Sequence, residues 1–233
     1  MEIKVIASGS SGNATYVSDG VTALLLDCGI SYSELQRGTD FGLSMLSSVL
    51  ITHYHQDHSK AAKDLAKRGI DLYSSAGTFN ALKMQGHRCK TINALETFSV
   101  GTFDITPFDV IHDAPESLGF LAESVETGEK LLYFSDTAYV RYTFDGLTHI
   151  IAECNHGEYE LRRSVSEGII APELAKRIVK NHISVERLER LLKANDLSRL
   201  QEVHLIHLSD NNSDEARFKS VIQRVVGVPV YVH

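Results

Sequence analysis

Residues 51–60 read ITHYHQDHSK and place His53, His55, Asp57 and His58 within six consecutive positions. Neutral imidazole nitrogens and carboxylate oxygens together are the donor types of zinc, manganese and iron sites. Calcium or magnesium would call for a mostly oxygen set. A solvated polar loop is the bland alternative. The spacing, directly after the apolar run SVLI, argues instead that the four side chains converge on a cation.

More residues of the same types stand further along, each after a predicted strand. His112 follows FDITPFDVI, Asp136 follows LLYFS, His207 follows VHLI, and Glu153, Asn155 and His156 follow HIIA. Loops at strand ends are where a rigid sheet aims functional side chains. His204 and His207 are three apart on one strand and so face opposite sides. His207, at the strand end, is the candidate, and His204 reads as structural. Cys28, Cys89 and Cys154 form no CxxC pair and read as reduced thiols rather than ligands.

The elements that must position these residues can be read from pattern. Short strands occupy 1–28, punctuated by Gly9, Gly12 and Gly20. A buried strand at 48–52 runs into the histidine cluster, and a helix follows over 59–69 with Gly69 as its stop. A strand at 70–75 and a short helix come next, then three strands within 103–136 and another at 149–155. The segment 172–195 reads as two helices broken near Asn181–His182, with Ser184 capping the second. A strand at 202–210, a helix over 213–226 and a terminal strand complete the chain. This order predicts an α/β fold, mixed sheets covered by helices, in one domain spanning 1–233.

The 43% hydrophobic and 23% charged composition of these 233 residues suits a packed core rather than disorder. No apolar run approaches the ~20 residues of a membrane span. The opening apolar stretch is too short for a secretory signal, so a cytoplasmic protein is expected, in a bacterium or a phage-infected host. The net charge of −7 lowers the expectation of a long nucleic-acid partner without excluding a local basic groove.

THYHQDH resembles the HxHxDH signature of the metallo-β-lactamase fold, and His112, Asp136 and His207 follow in the order of that fold's later ligand motifs. The resemblance implies an αββα sandwich of two mixed β-sheets flanked by helices. It also implies two divalent metal ions, Zn2+ with Mn2+ as the alternative. His53, His55 and His112 would hold the first, Asp57, His58 and His207 the second, and Asp136 both.

Within that superfamily, SGSSGN, ECNH, NHIS and IHLSDNNS resemble the YycJ-type and RNase Z-like phosphodiesterase branch. That branch implies attack on phosphorus by a metal-bridging hydroxide oriented by Asp57. It implies a histidine, here His182, that protonates the leaving oxygen, with Glu153 orienting it. Its commoner motif has Gly where Asn181 stands. Ser10, Ser11, Asn13, Asn155, His156 and Ser184 are the expected substrate contacts, and a homodimer is the expected assembly.

Other chemistries of the fold fit less well. The familiar zinc lactamases carry Cys where Asp136 stands, and flavodiiron reductases carry Glu where His55 stands. Thioester or lactone hydrolysis is a weaker alternative. For the substrate, the compact length and acidic balance favour a small or cyclic nucleotide, as in the similar phage anti-Pycsar enzymes. A YycJ-like DNA exonuclease or an RNase Z-like ribonuclease is the alternative.

Overall fold

A computed structural model describes all of residues 1–233. The chain resolves into two compact units, Met1–Asp109 with Ala114–Glu129, and Val110–Asp113 with Lys130–His233.

In the first unit, β1 (Glu2–Ala7), β2 (Ala14–Ser18) and β3 (Ala23–Leu26) pair antiparallel in sequence order. β4 (Ser48–Leu50), β5 (Asp71–Ser74) and β6 (Cys89–Thr91) extend the sheet in parallel, with Leu24 opposite Ser48 and Leu26 opposite Leu50. Leu25, Val49, Ile51 and Leu72 form its core with Leu35 of helix α1 (Tyr32–Gly38), and Leu65 and Phe79 join the same cluster. α1 starts at a capping box in which Ser31 and Glu34 satisfy each other's backbone N–H groups. Pattern reading had missed this helix, since SYSELQRG is short and carries a single buried leucine. An antiparallel ribbon of β7 (Phe98–Val100), β8 (Phe103–Asp109) and β9 (Leu118–Ser124) belongs to the same unit.

The helix expected over 59–69 is two pieces, α2 (Gln56–Ser59) and α3 (Ala62–Lys67). The first begins inside the histidine cluster, so Asp57 and His58 sit on a single helical turn rather than in a loop. α4 (Ala76–Leu82) follows β5, capped by Ser75.

The second unit has four parallel strands, β10 (Lys130–Phe134), β11 (His149–Glu153), β12 (Glu202–Ile206) and β13 (Val230–Val232). β11 is buried along its whole length, as expected of a parallel strand covered on both faces. Its helices are α5 (Glu158–Ser166), α6 (Pro172–Asn181), α7 (Val185–Lys193) and α8 (Glu215–Val226). The break expected near Asn181–His182 lies between α6 and α7, and Ser184 caps α7 by accepting from the N–H of Arg187. α5 was not anticipated, because its start merges with the polar run after β11.

Candidate metal centre

The seven predicted ligands fall into two sets, His53, His55, Asp57 and His58 in the first unit and His112, Asp136 and His207 in the second. In the first, β4 ends at Leu50 and the chain carries Thr52 and His53 into the interior, both essentially sealed from solvent. His53 Nε2 and His55 Nδ1 face each other at 3.0 Å. The rings of His53 and His58 lie 4.2 Å apart. His58 is held from both sides. Its Nδ1 is 2.8 Å from Oδ2 of Asp27, and its Nε2 is 3.5 Å from Asp57.

Asp27 is a residue that pattern reading passed over. It follows β3, is fully buried, and also accepts from the backbone N–H and hydroxyl of Thr52. A carboxylate on the far nitrogen of an imidazole fixes its tautomer and aims the other nitrogen, the usual backing of a metal-bound histidine. The signal was an acid closing the run LLLDCG, indistinguishable by itself from a turn residue.

The backbone around the cluster is clamped just as closely. Cys28 N–H donates to the carbonyl of His58, and Asn13 N–H to that of Asp57 at 2.7 Å. A Cβ on Gly29 would lie 1.7 Å from the Asp57 carbonyl oxygen, so only glycine permits this approach. Asn13, expected at the substrate, is 2% exposed and bonds Gly9, Asp57 and the His58 ring. Ser10 and Ser11, in the turn before it, are exposed.

In the second unit the hub is Glu153, the last residue of β11, with no exposed surface. Its Oε1 lies 2.5 Å from His182 Nδ1 and 3.1 Å from His207 Nδ1, while Oε2 accepts from the N–H groups of Thr137 and Ile183. Burial pushes this carboxyl up, but His182 and the two imidazole hydrogen bonds outweigh it and hold it below the usual range. For His182 burial pushes down, and the Glu153 charge beside it raises the pKa on balance.

Asp136 Oδ1 is 3.3 Å from His207 Nδ1, and Oδ2 is 3.6 Å from His112 Nε2. His112 does not close a strand as expected; it lies three residues past β8, and burial lowers its pKa. Asp136, Glu153, His182 and His207 each bring a ligand atom to within 4.8 Å of the others.

Three of these residues, Asp27, Asp136 and His207, have positive φ, 58°, 48° and 56°. The left-handed region is uncommon for non-glycine residues, and strain of this kind collects at functional sites. Each lies just past a strand, Asp27 after β3, Asp136 after β10 and His207 after β12. Asn155, buried after β11, links two of the loops. It donates to the His207 carbonyl through Nδ2, and its backbone N–H donates to Ile183 beside His182. His156 is 2% exposed, with burial lowering its pKa to about 4, and Ser184 serves the α7 cap. His204 bonds His233 and Glu202, in keeping with a structural role.

The donor chemistry fits a divalent cation, since imidazoles and carboxylates converge in both units and a buried carboxylate backs one histidine in each. A family model described as a β-lactamase superfamily domain matches residues 22–155. The chain belongs to that superfamily. Exodeoxyribonuclease YycJ of Bacillus anthracis is 28% identical over 96% of this chain and 88% of its own length. Exodeoxyribonuclease WalJ of Streptococcus pneumoniae serotype 2, strain D39, is 29% identical over 95% and 87%.

Among solved structures, the metallo-β-lactamase fold protein YhfI of Bacillus subtilis superposes with a TM-score of 0.76 at 18% identity, covering 99% of this chain and 95% of that one. The short form of human tRNase Z gives 0.66 at 15% identity, over 100% and 96%. The chain is thus a metallo-β-lactamase-fold hydrolase related to YycJ, WalJ and RNase Z, with two mixed β-sheets and flanking helices.

Proposed function

We propose that this hydrolase is a metal-dependent phosphodiesterase acting on nucleotide phosphodiesters. The observation that carries the reading is Glu153, one buried carboxylate that holds a prospective ligand, His207, and a prospective proton donor, His182. His53, His55 and His112 would hold one divalent ion, Asp57, His58 and His207 the other, and Asp136 both. Zinc is the ion this donor set favours, with manganese as its alternative. Two such ions, when bound, polarise a phosphoryl oxygen and lower the pKa of water.

The protein's own residues account for the rest. Hydrolysis adds water across a P–O bond, and the departing alkoxide oxygen must gain a proton. His182 engages Glu153 through Nδ1, which assigns Nε2 to that oxygen. Asp57, 24% exposed at its side chain and 3.5 Å from His58, orients the attacking water. Ser10 and Ser11 are the exposed candidates for substrate contact. Asn13, Asn155 and Ser184 act by holding loops that carry the prospective ligands, and His156 is buried.

YycJ and WalJ, both named exodeoxyribonucleases, favour nucleic acid as substrate. The net charge of −7 favours 3′,5′-cyclic mononucleotides as the second reading. No helix is long and apolar enough to cross a membrane. A cytoplasmic homodimer made of single-domain chains completes the proposal.

The test is turnover of bis(4-nitrophenyl) phosphate, cyclic mononucleotides and DNA by zinc- or manganese-loaded protein. Asp57→Ala is expected to abolish turnover with an unchanged circular dichroism spectrum. His182→Ala is expected to slow it by about 10²–10⁴-fold while metal content holds. A wild-type protein inert on every phosphodiester would overturn the reading, and loss of metal from His182→Ala would make that residue a ligand.

A further inference from the structure

The helix that leads into His182 is α6, and of its ten residues only the last, Asn181, is buried. Leu174 and Val179 are exposed, so apolar packing does little to fix its end. The end is fixed by polar bonds instead. Asn181 Nδ2 donates to Oδ2 of Asp113 at 3.1 Å, and Arg177, one turn earlier on the same face, donates to that oxygen at 3.1 Å. In return, His112 Nδ1 donates to the Asn181 carbonyl at 3.3 Å. A carbonyl in the last turn of a helix has no intrahelical partner and is open to such a donor.

We propose that Asn181 is a positioning residue for His182, pinning the end of α6 to His112 and Asp113 so that the proton donor is held beside the prospective ligands. The inference rests on the phosphodiesterase reading.

The surroundings of His182 show what the pin controls. Its ring stacks on His207 at 5.4 Å and meets His112 edge-on at 5.8 Å, while Nδ1 engages Glu153. That one hydrogen bond sets the tautomer; the place of Nε2 depends on the backbone as well. On one side the backbone is tied by Ile183, whose N–H donates to Glu153 Oε2 at 3.2 Å. On the other it is tied by Asn181. Asp113 reaches the prospective ligands through its other oxygen, since Oδ1 is 3.2 Å from His112 Nε2, the nitrogen that faces Asp136 at 3.6 Å. The link therefore runs from a prospective ligand, through Asp113 and the Asn181 amide, to the residue next in the chain.

The experiment reads kcat at saturating metal on two kinds of diester. Bis(4-nitrophenyl) phosphate expels a phenolate that is stable without a proton, whereas 3′,5′-cyclic AMP and thymidylyl-thymidine expel an alkoxide that needs one. Asn181→Asp sets two carboxylates against each other. It is expected to lower kcat at least about 10-fold more on whichever alkoxide substrate wild type turns over than on the nitrophenyl ester, a part of what a general acid supplies. Adding Asp113→Asn exchanges donor and acceptor, keeps one carboxylate for Arg177, and should recover most of that loss. A second readout needs no turnover. With metal chelated, hydrogen exchange at the backbone N–H groups of His182 and Ile183 should speed up in Asn181→Asp and slow again in the double variant.

Equal losses on both kinds of substrate, or no recovery in the double variant, overturn the positioning role. Wild type that hydrolyses only the nitrophenyl ester overturns it too, because such an enzyme has no working proton donor to place. Wild type that hydrolyses no phosphodiester overturns the phosphodiesterase reading instead; the pin then stands if exchange at 182 and 183 follows the two variants, and falls if it does not.

Discussion

In the first unit one buried carboxylate, Asp27, holds one imidazole, His58, and takes its own support from Thr52. In the second, Glu153 holds two imidazoles, His182 and His207, and is supported by the backbone N–H groups of Thr137 and Ile183. The device is the same, a strand-end carboxylate on a histidine Nδ1, but its connectivity differs. Asp27 secures a cluster already compact in sequence. Glu153 gathers residues from three separate segments, so more of the site depends on it.

The sharpest way to break this comparison is to neutralise each hub in turn. Asp27→Asn and Glu153→Gln keep size and remove charge, and lost backing of this kind weakens metal binding by about 10–100-fold. Glu153→Gln is expected near the upper end and Asp27→Asn near the lower, read by competition with a chromogenic chelator. Equal losses, or a larger one at Asp27, would show that the number of imidazoles served does not set the cost.

The backbones offer a second contrast. A Cβ on Gly29 meets the Asp57 carbonyl oxygen at 1.7 Å and its carbon at 2.1 Å, both main-chain atoms under the histidine cluster. A Cβ on Gly157 meets Glu160 Oε2 at 1.8 Å, the end of a side chain that can turn, although Arg217 holds it at 3.0 Å. Gly29→Ala should cost about 3 kcal/mol and Gly157→Ala about 1 kcal/mol, the range of overpacking. Denaturant melts of the two variants would measure the difference.

The smallest effect expected is at Asp19, away from both clusters. Burial pushes this carboxyl up, but hydrogen bonds from Ser124, Thr102 and the N–H groups of Thr22 and Val21 together bring it to about 2. Its folded pKa is depressed, so its contribution is complete above 3.8, the unperturbed value, and disappears as pH falls toward about 2. Solvent screening keeps it under ~1 kcal/mol. Asp19→Asn should melt earlier than wild type at neutral pH and converge with it between pH 4 and 2; a gap that persisted at pH 2 would assign the effect to the hydrogen bonds alone.

How much was legible follows from the same contrast. The cluster from His53 to His58 is written in consecutive residues, and Asp136 and His207 could be found because each follows an apolar strand. Asp27 could not, since its partner His58 is 31 positions away and the pairing of β3 with β4 that unites them is tertiary. Asn13 shows the opposite error. Its polar turn suggested substrate, whereas folding commits its side chain to Gly9, Asp57 and His58.

The left-handed turns at Asp27, Asp136 and His207 carry an evolutionary consequence. Glycine occupies that conformation at no steric cost, and asparagine tolerates it better than most residues. A descendant of this chain released from selection for hydrolysis would be expected to drift first to Gly or Asn at 27, 136 and 207. The bends would survive, the charges would go, and the fossil would still be recognisable by its shape.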